Sequence, residues 1–502
     1  MREQLTSSDA GEAVLEEELG RGTIRARATS GALLIAGRGV LLLLFALAAN
    51  VVLARELSPR QIGLVSFGAA IMTFASALSN GGLAAGLVRS ARPIDRSVLR
   101  DVLGLQLVVG TALFALIAAA ALPFGLAGRL TAVMALSLPI GALDTPASIV
   151  LERSLEYRTL ARVEVLQAFS YYMAAIVLVV VGLGVWGLAA ATLVRSVAVV
   201  ILLFRVRPDL FFLPTFSLRR VRPLLRFGVN YQATGLVTVL RDQGLNIGIA
   251  AIGGVATLGI WTLARRVLEL PMLLFNSLWR VSFPAMSRLM ALDVDPRPLI
   301  ERGAALTSIG TGLILGPLAA AAPGLVPAVF GEQWRQTGEL IPIACAGLLV
   351  PGPISVATAG YLYAAGEAGA VLRATIWHTV MWLGPALALL MVIGPWAIPL
   401  GWLIGSCFDA VLLARPAEAR TGARLFRAVG RSSIAAGVAG GLGVLTTLAS
   451  GRTAVGGIAG AAVCLLVYVL LVYAFDRDPA RAAVAAARGS LKAAVNPRSS
   501  PA

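Results

Sequence analysis

Five charged residues interrupt two long apolar runs near the middle of the chain: Arg241 and Asp242 in the first, and Arg265, Arg266 and Glu269 in the second. A guanidinium presents a rigid fork of donors that grips phosphate or carboxylate through paired, charge-assisted hydrogen bonds. Three arginines against two carboxylates therefore make a wall suited to a diphosphate or another anionic group. The same residues also fit mutual neutralisation. Arg265 and Glu269 stand four apart, about one helical turn, and Asp242 is placed to hold Arg266 or Arg241. Both readings stay open for the cluster. Glu269 fits the second better, because a carboxylate in a membrane usually has a basic partner.

The two groups lie about equally far from Gly253-Gly254-Val255, a plausible turn. At ~1.5 Å of rise per residue a hairpin folded there brings all five to similar depth. Polar stripes run along both arms: Asn230, Thr234, Thr238 and Arg241 on one, and Thr262, Arg265, Glu269 and Asn276 on the other, each at helical spacing. Two further arginines, Arg38 and Arg195, are candidate cavity residues in the first half of the chain. Arg38 is also close enough to Arg25 and Arg27 to reach the headgroups instead, as Arg280 does at the end of its own run.

Other reactive residues read as structural. Asp144 and Asp409 lie near helix ends, where loop arginines are expected to hold them. His378, the single histidine, fits a neutral, hydrogen-bonded imidazole inside a bundle better than a proton relay. Cys345, Cys407 and Cys464 all fall in apolar runs with no metal or disulfide spacing. Asp293-Val294-Asp295 resembles a metal-binding Asp-x-Asp, but no nucleotide-binding domain accompanies it. The absence of a P-loop pattern argues against an intrinsic ATP motor. No cofactor is expected, and a coupling ion or the membrane potential is left open as the driving force.

The elements that must position these groups are membrane helices. Hydrophobic residues make up 58% of 502 positions and charged residues 14%, with a mean hydropathy of +0.84, values outside the soluble classes. Runs long enough to cross about 30 Å of hydrocarbon fall at 31–54, 61–87, 102–122, 130–150, 163–183, 186–204, 227–252, 257–284, 304–329, 339–364, 370–392, 396–414, 432–449 and 454–475. They are continuously apolar, which excludes a β-barrel. The expected fold is an all-α polytopic membrane protein of about fourteen transmembrane helices, with two six-helix lobes around a central cavity and two C-terminal helices.

Arginine sets the orientation. Of the 42 Lys and Arg residues, about thirty-one fall in the termini and even-numbered loops, about five in odd-numbered loops and about six inside runs. The even loops and both termini are thus expected in the cytoplasm, and the chain in the cytoplasmic membrane. The net charge of +16 follows from this topology and from contact with anionic lipid, so nucleic acid is not an expected partner. The domain boundaries expected are a cytosolic tail at 1–30, an N-lobe at 31–204, a flexible inter-lobe loop at 205–226, a C-lobe at 227–415, two further helices with their preceding loop at 416–475, and a cytosolic tail at 476–502. An internal echo supports the division: Gln61-Ile62-Gly63-Leu64-Val65 opens the second run and Thr257-Leu258-Gly259-Ile260-Trp261 the eighth.

Several stretches resemble a known family. Phe227-Gly228, Arg241-Asp242, Gly253, Leu258-Gly259-Ile260-Trp261, Ala264, Pro271 and Phe283-Pro284 with Ser287 are similar to the central segment of bacterial Wzx-like polysaccharide flippases, in the multidrug/oligosaccharidyl-lipid/polysaccharide exporter superfamily. Ala54-Arg55-Glu56-Leu57-Ser58-Pro59 with Ile62-Gly63, then Gly81-Gly82-Leu83 and Leu87-Val88-Arg89, resemble its opening helices. Gly184-Val185-Trp186-Gly187-Leu188 and Phe330-Gly331-Glu332-Gln333-Trp334 agree. Two positions depart: Asn80 stands where the family has an acidic residue, and an aromatic is displaced to Trp261. The resemblance implies a flippase that moves a polyprenyl-diphosphate-linked oligosaccharide across the cytoplasmic membrane, with lumen arginines drawing the diphosphate. The partners it implies are that substrate, membrane lipids and other polysaccharide-assembly proteins. A multidrug or lipid II exporter of the same superfamily is the alternative. A membrane-embedded glycosyltransferase or polymerase fits less well, since each outer loop is about a dozen residues or fewer, too short to hold an acceptor and catalytic groups. No enzymatic activity is expected.

Overall fold

The computed structural model describes residues 39, 42–80, 87, 95–154, 156–292 and 294–475. Arg38, Asp293 and both terminal tails lie outside the described residues, as does most of 81–94. Among the described residues the chain is helical, with no strand, and each expected apolar run has a helical counterpart. The helices are α1 (42–56), α2 (Pro59–Asn80), α3 (Arg96–Ala121), α4 (Gly125–Ala135), α5 (Ser137–Ala142), α6 (Thr145–Arg153), α7 (Tyr157–Leu178) and α8 (Val185–Val206). They continue with α9 (Leu218–Ala291), α10 (Arg297–Phe330), α11 (Arg335–Leu349), α12 (Pro351–Ala364) and α13 (Ala368–Ala388). A single turn at Leu390–Ile393 precedes α14 (Ala397–Thr421), α15 (Leu425–Ala449) and α16 (Ala454–Phe475). Ten stretches among the described residues are long and apolar enough to cross a membrane, and the chain is an all-α, multi-pass membrane protein.

Local sequence explains the breaks. Gly254, at φ 82 and ψ 161, adopts a conformation closed to residues with a Cβ, and there α9 folds into the two arms foreseen at that turn. Pro351 cannot continue the hydrogen bonds of α11, so the tenth run divides into α11 and α12. Asp95 caps α3 by accepting from the Ser97 backbone N–H at 3.2 Å.

The helices group into two compact units. The first is built from the described parts of 1–50, 75–122 and 132–235, and the second from 51–74, 123–131 and 236–502. The second therefore takes in 51–74, from the stretch that the sequence assigns to the N-lobe. In the first unit, the expected flexible loop 205–226 is tied down at its centre. Thr215 Oγ1 donates to Asp101 Oδ1 at 2.7 Å, the Thr215 N–H donates to Arg100 O at 3.1 Å, and Arg100 Nε donates to Leu213 O at 2.9 Å. Asp101 is fully buried; a carboxylate taken out of water needs such donors, and the loop supplies one.

In the second unit two of the family-like stretches, 54–59 and 330–334, meet. Trp334 Nε1 and Gln333 Nε2 both donate to Ala54 O, at 2.8 and 2.9 Å, while Arg55 donates to the carbonyls of Ala328 and Val329. The echoed glycines also meet: a Cβ built on Gly63 would overlap Val255 O, and one on Gly259 would overlap Pro59 O. Each glycine thus seats against the carbonyl four residues before the other. The C-terminal pair α15 and α16 packs on α10 through small residues, with Gly316 against Cys464, Gly324 against Gly457, and Thr447 Oγ1 donating to Ala320 O at 2.7 Å. Close backbone approach of this kind holds helices together where lipid removes the hydrophobic drive.

Candidate functional site

A cavity of about 430 Å³ lies within the second unit. The first arm of α9 brings Arg241 and Asp242 to it, and the second arm brings Arg265 and Glu269. Four of the five residues of the predicted cluster therefore converge. Arg266 is not among the lining residues, as its position one residue, or about 100°, around the helix from Arg265 dictates.

Residues from four later helices complete the wall: Leu348 of α11, Ser355 of α12, His378 and Trp382 of α13, and Trp402, Ser406 and Asp409 of α14. Helices α13 and α14 approach closely because Gly401 and Gly405 face α13. A Cβ on Gly401 would lie 2.7 Å from Trp382 O, and one on Gly405 2.9 Å from His378 O. The indoles stack as a result. Trp382 and Trp402 lie 5.6 Å apart at 24°, Trp261 meets Trp402 edge-on at 5.9 Å, and the Arg241 guanidinium sits 5.9 Å from the Trp382 ring centroid.

The polar groups are unequally satisfied. Arg241 Nε donates to Asp242 Oδ1 at 2.8 Å, so of the two partners open to Asp242 the structure selects Arg241. Asp409 Oδ2 accepts from Ser355 Oγ at 3.1 Å and lies 4.0 Å from His378 Nδ1. The expectation that loop arginines hold Asp409 is corrected: it turns inward, because a full turn of α14 separates it from that helix's basic end. Among the described residues, Asp144 interacts electrostatically with Arg195 of α8, while the loop arginines Arg89 and Arg92 lie outside the described residues. Among the described residues no hydrogen bond or ion pair engages Arg265 or Glu269, so their expected i, i+4 pairing is not formed. The His378 Nε2 and Trp382 Nε1 atoms are buried and have no hydrogen-bond partner among the described residues.

The charge balance differs from the expected wall of three arginines. Two guanidiniums and three carboxylates line this cavity, and one guanidinium is already paired. Arg265 is the guanidinium of this wall left without a partner among the described residues, and Asp242, Glu269, Asp409 and His378 are its acidic and imidazole groups. Among the described residues no group of three or more His, Cys, Asp or Glu is arranged to hold a metal ion. Arg195, predicted with this cluster, lines a different cavity within the first unit, and Arg38 lies outside the described residues. The sequence signals missed were the Gly401-x-x-x-Gly405 spacing, which brings α13 and α14 together, and the seven-residue spacing that puts Trp402 and Asp409 on one face of α14.

Comparison with known proteins adds an independent line. The profile of a family described as polysaccharide biosynthesis protein matches residues 52–339, a span covering the crossing of Gly63 with Gly259 and both arms of α9. The chain is 24% identical to the succinoglycan biosynthesis transport protein ExoT of Rhizobium meliloti (strain 1021) over 60% of its length and 62% of that protein's. It is 26% identical to the lipopolysaccharide biosynthesis protein WzxC of Escherichia coli (strain K12), over 78% of this chain and 80% of that one. The chain thus spans about three fifths of the first relative. Among solved structures, the lipid II flippase MurJ in an inward closed conformation superposes with a TM-score of 0.67 at 13% identity, covering 89% of this chain and 99% of that one. An inward-facing multidrug resistance MATE family transporter gives 0.55 at 17% identity, over 74% and 93%. At these identities the two structures establish a shared fold.

Proposed function

We infer the function from one premise: the chain belongs to the polysaccharide biosynthesis protein family. On this reading the protein is a flippase that moves a polyprenyl-diphosphate-linked oligosaccharide from the inner to the outer leaflet of the cytoplasmic membrane. It is a transporter and not an enzyme, and both termini face the cytoplasm. Lobes at 31–204 and 227–415 rock in alternating access, with the driving ion or potential acting on the titratable residues of the cavity. The names of the relatives, one a succinoglycan transport protein and one a lipopolysaccharide biosynthesis protein, support a lipid-linked glycan as cargo and other glycan-assembly proteins as neighbours.

The observation that carries the reading is Arg265, a guanidinium on a cavity wall with no protein partner among the described residues. In a membrane interior such a cation is costly unless it serves a ligand. A diphosphate offers it a bidentate acceptor. Arg241 is different, since Asp242 already holds it and a ligand must compete for it.

The test is movement of a fluorescent polyprenyl-diphosphate oligosaccharide across proteoliposome membranes. Arg265→Ala is expected to lower the rate about a hundredfold and Arg265→Lys about tenfold, because lysine keeps the charge and loses the fork. An Arg265→Ala protein that transports at the wild-type rate would overturn the assignment. The surplus of carboxylates in the cavity favours one alternative, an exporter of organic cations. Proteoliposomes that accumulate a cationic dye and leave the labelled lipid in place select it.

A further inference from the structure

The first unit has its own cavity, of about 280 Å³. It differs in kind from the cavity of the second unit, which is walled by indoles and carboxylates. Its lining is hydroxyl and amide: Ser76, Ser79 and Asn80 come from α2, Gln106 from α3, Gln167 from α7, and Ser196 from α8. Among the described residues its charged lining residues are Asp144 and Arg195, which offset each other.

These groups are short of partners. Among the described residues no hydrogen bond engages the side chains of Asn80, Gln167, Asp144 or Arg195. Gln106 uses its carbonyl to accept from Thr145 Oγ1 at 2.5 Å, and among the described residues its amide N–H groups have no acceptor. The surrounding helices are long and apolar enough to span a membrane. In that setting the buried Gln106 amide and the half-buried Gln167 and Asp144 carry a desolvation cost that a polar occupant removes, while Asn80 is exposed and open to such an occupant.

We propose that this cavity is a binding site for a neutral sugar residue, the glycan portion of the lipid-linked substrate; the proposal rests on the flippase reading above. Three features select this chemistry. Planar amides, a carboxylate and a guanidinium each present two donors or acceptors side by side, which matches the adjacent hydroxyls of a pyranose. The balanced charge disfavours an anionic sugar, whose carboxylate would meet Asp144. The volume of about 280 Å³ lies just below the usual range of small-molecule sites, about 300 to 1,000 Å³, a size for one or two sugar rings and not for a drug or a diphosphate with its lipid.

The test measures affinity of the full-length protein in nanodiscs for three probes: a bare polyprenyl diphosphate, the same lipid bearing a glucosyl-galactose disaccharide, and one bearing a glucuronosyl residue. The wild type is expected to bind the neutral glycolipid about tenfold tighter than the bare lipid, the yield of one to two net hydrogen bonds, and tighter than the glucuronosyl lipid. Joint Asn80→Ala and Gln167→Ala replacement is expected to bring the neutral-to-bare ratio close to one while affinity for the bare lipid stays unchanged. Gln167→Glu, which keeps an acceptor at nearly the same volume, is expected to retain part of the ratio, and serves if the double variant does not fold. A ratio near one in the wild type, or a full ratio in the double variant and in Gln167→Ala alone, overturns the sugar site. Equal affinity for the glucuronosyl lipid overturns its neutrality. The flippase reading fails separately, if the wild-type protein moves no labelled glycolipid in proteoliposomes.

Discussion

At the residue scale, the sequence pointed to Arg241, Asp242, Arg265 and Glu269, and the structure sorts them by whether their charge is already answered. Arg241 and Asp242 form a pair 2.8 Å apart, with only 20% and 27% of their side chains exposed. Removing one partner from such a pair leaves the other uncompensated, which costs more than the pair contributes. Asp242→Ala is therefore expected to destabilise the protein by about 1–3 kcal/mol, and Asp242→Asn, which keeps an acceptor for Arg241 Nε, by less. Thermal unfolding in detergent checks this. Equal melting temperatures for Asp242→Ala and wild type would mean that Arg241 finds other partners at no cost. Arg265 was legible as a candidate from its type and setting, but its lack of a partner among the described residues was not, since Glu269 stands at the spacing of an ion pair.

Helices are held here by the absence of side chains. At the crossing of α2 with the second arm of α9, Gly63 and Gly259 each meet a backbone carbonyl that cannot move aside. Adding even a methyl group forces two helices apart, so Gly63→Ala or Gly259→Ala is expected to cost about 1–3 kcal/mol, the range for overpacking a close contact. Gly437 of α15 has open space around it, and Gly437→Ala, which favours the helix, is expected to be neutral or slightly stabilising. Melting temperatures of the three variants decide the point; Gly63→Ala matching Gly437→Ala would show that the crossing relaxes freely. The echo of Gln61-Ile62-Gly63 in Thr257-Leu258-Gly259 was readable as repetition. Its meaning as a reciprocal contact was not, because a glycine's neighbour is invisible in one dimension.

For the whole molecule, the arginine asymmetry predicts which loops face which side. Single cysteines placed in 205–226 are expected to react with a membrane-impermeant maleimide only in opened cells, and cysteines in 330–338 in intact cells; labelling of 205–226 from outside would reverse the proposed topology. The sequence by itself determined the solvent, the helical class and the approximate ends of the helices. Each of these is local: a span must be apolar along its whole length and must satisfy its own backbone hydrogen bonds, and Gly254 marks one break, whereas the division of the 339–364 run at Pro351 was not read from the sequence. It also showed which charged residues lie within apolar runs. Tertiary structure alone decided how those residues divide, with Arg241, Asp242, Arg265 and Glu269 in one cavity and Arg195 in another. It brought His378 and Asp409 to the first of these and tied the inter-lobe loop to Asp101. Those outcomes depend on which faces of distant helices meet, and that choice is made by close packing at positions such as Gly401, Gly405, Gly63 and Gly259, whose partners lie tens to hundreds of residues away along the chain.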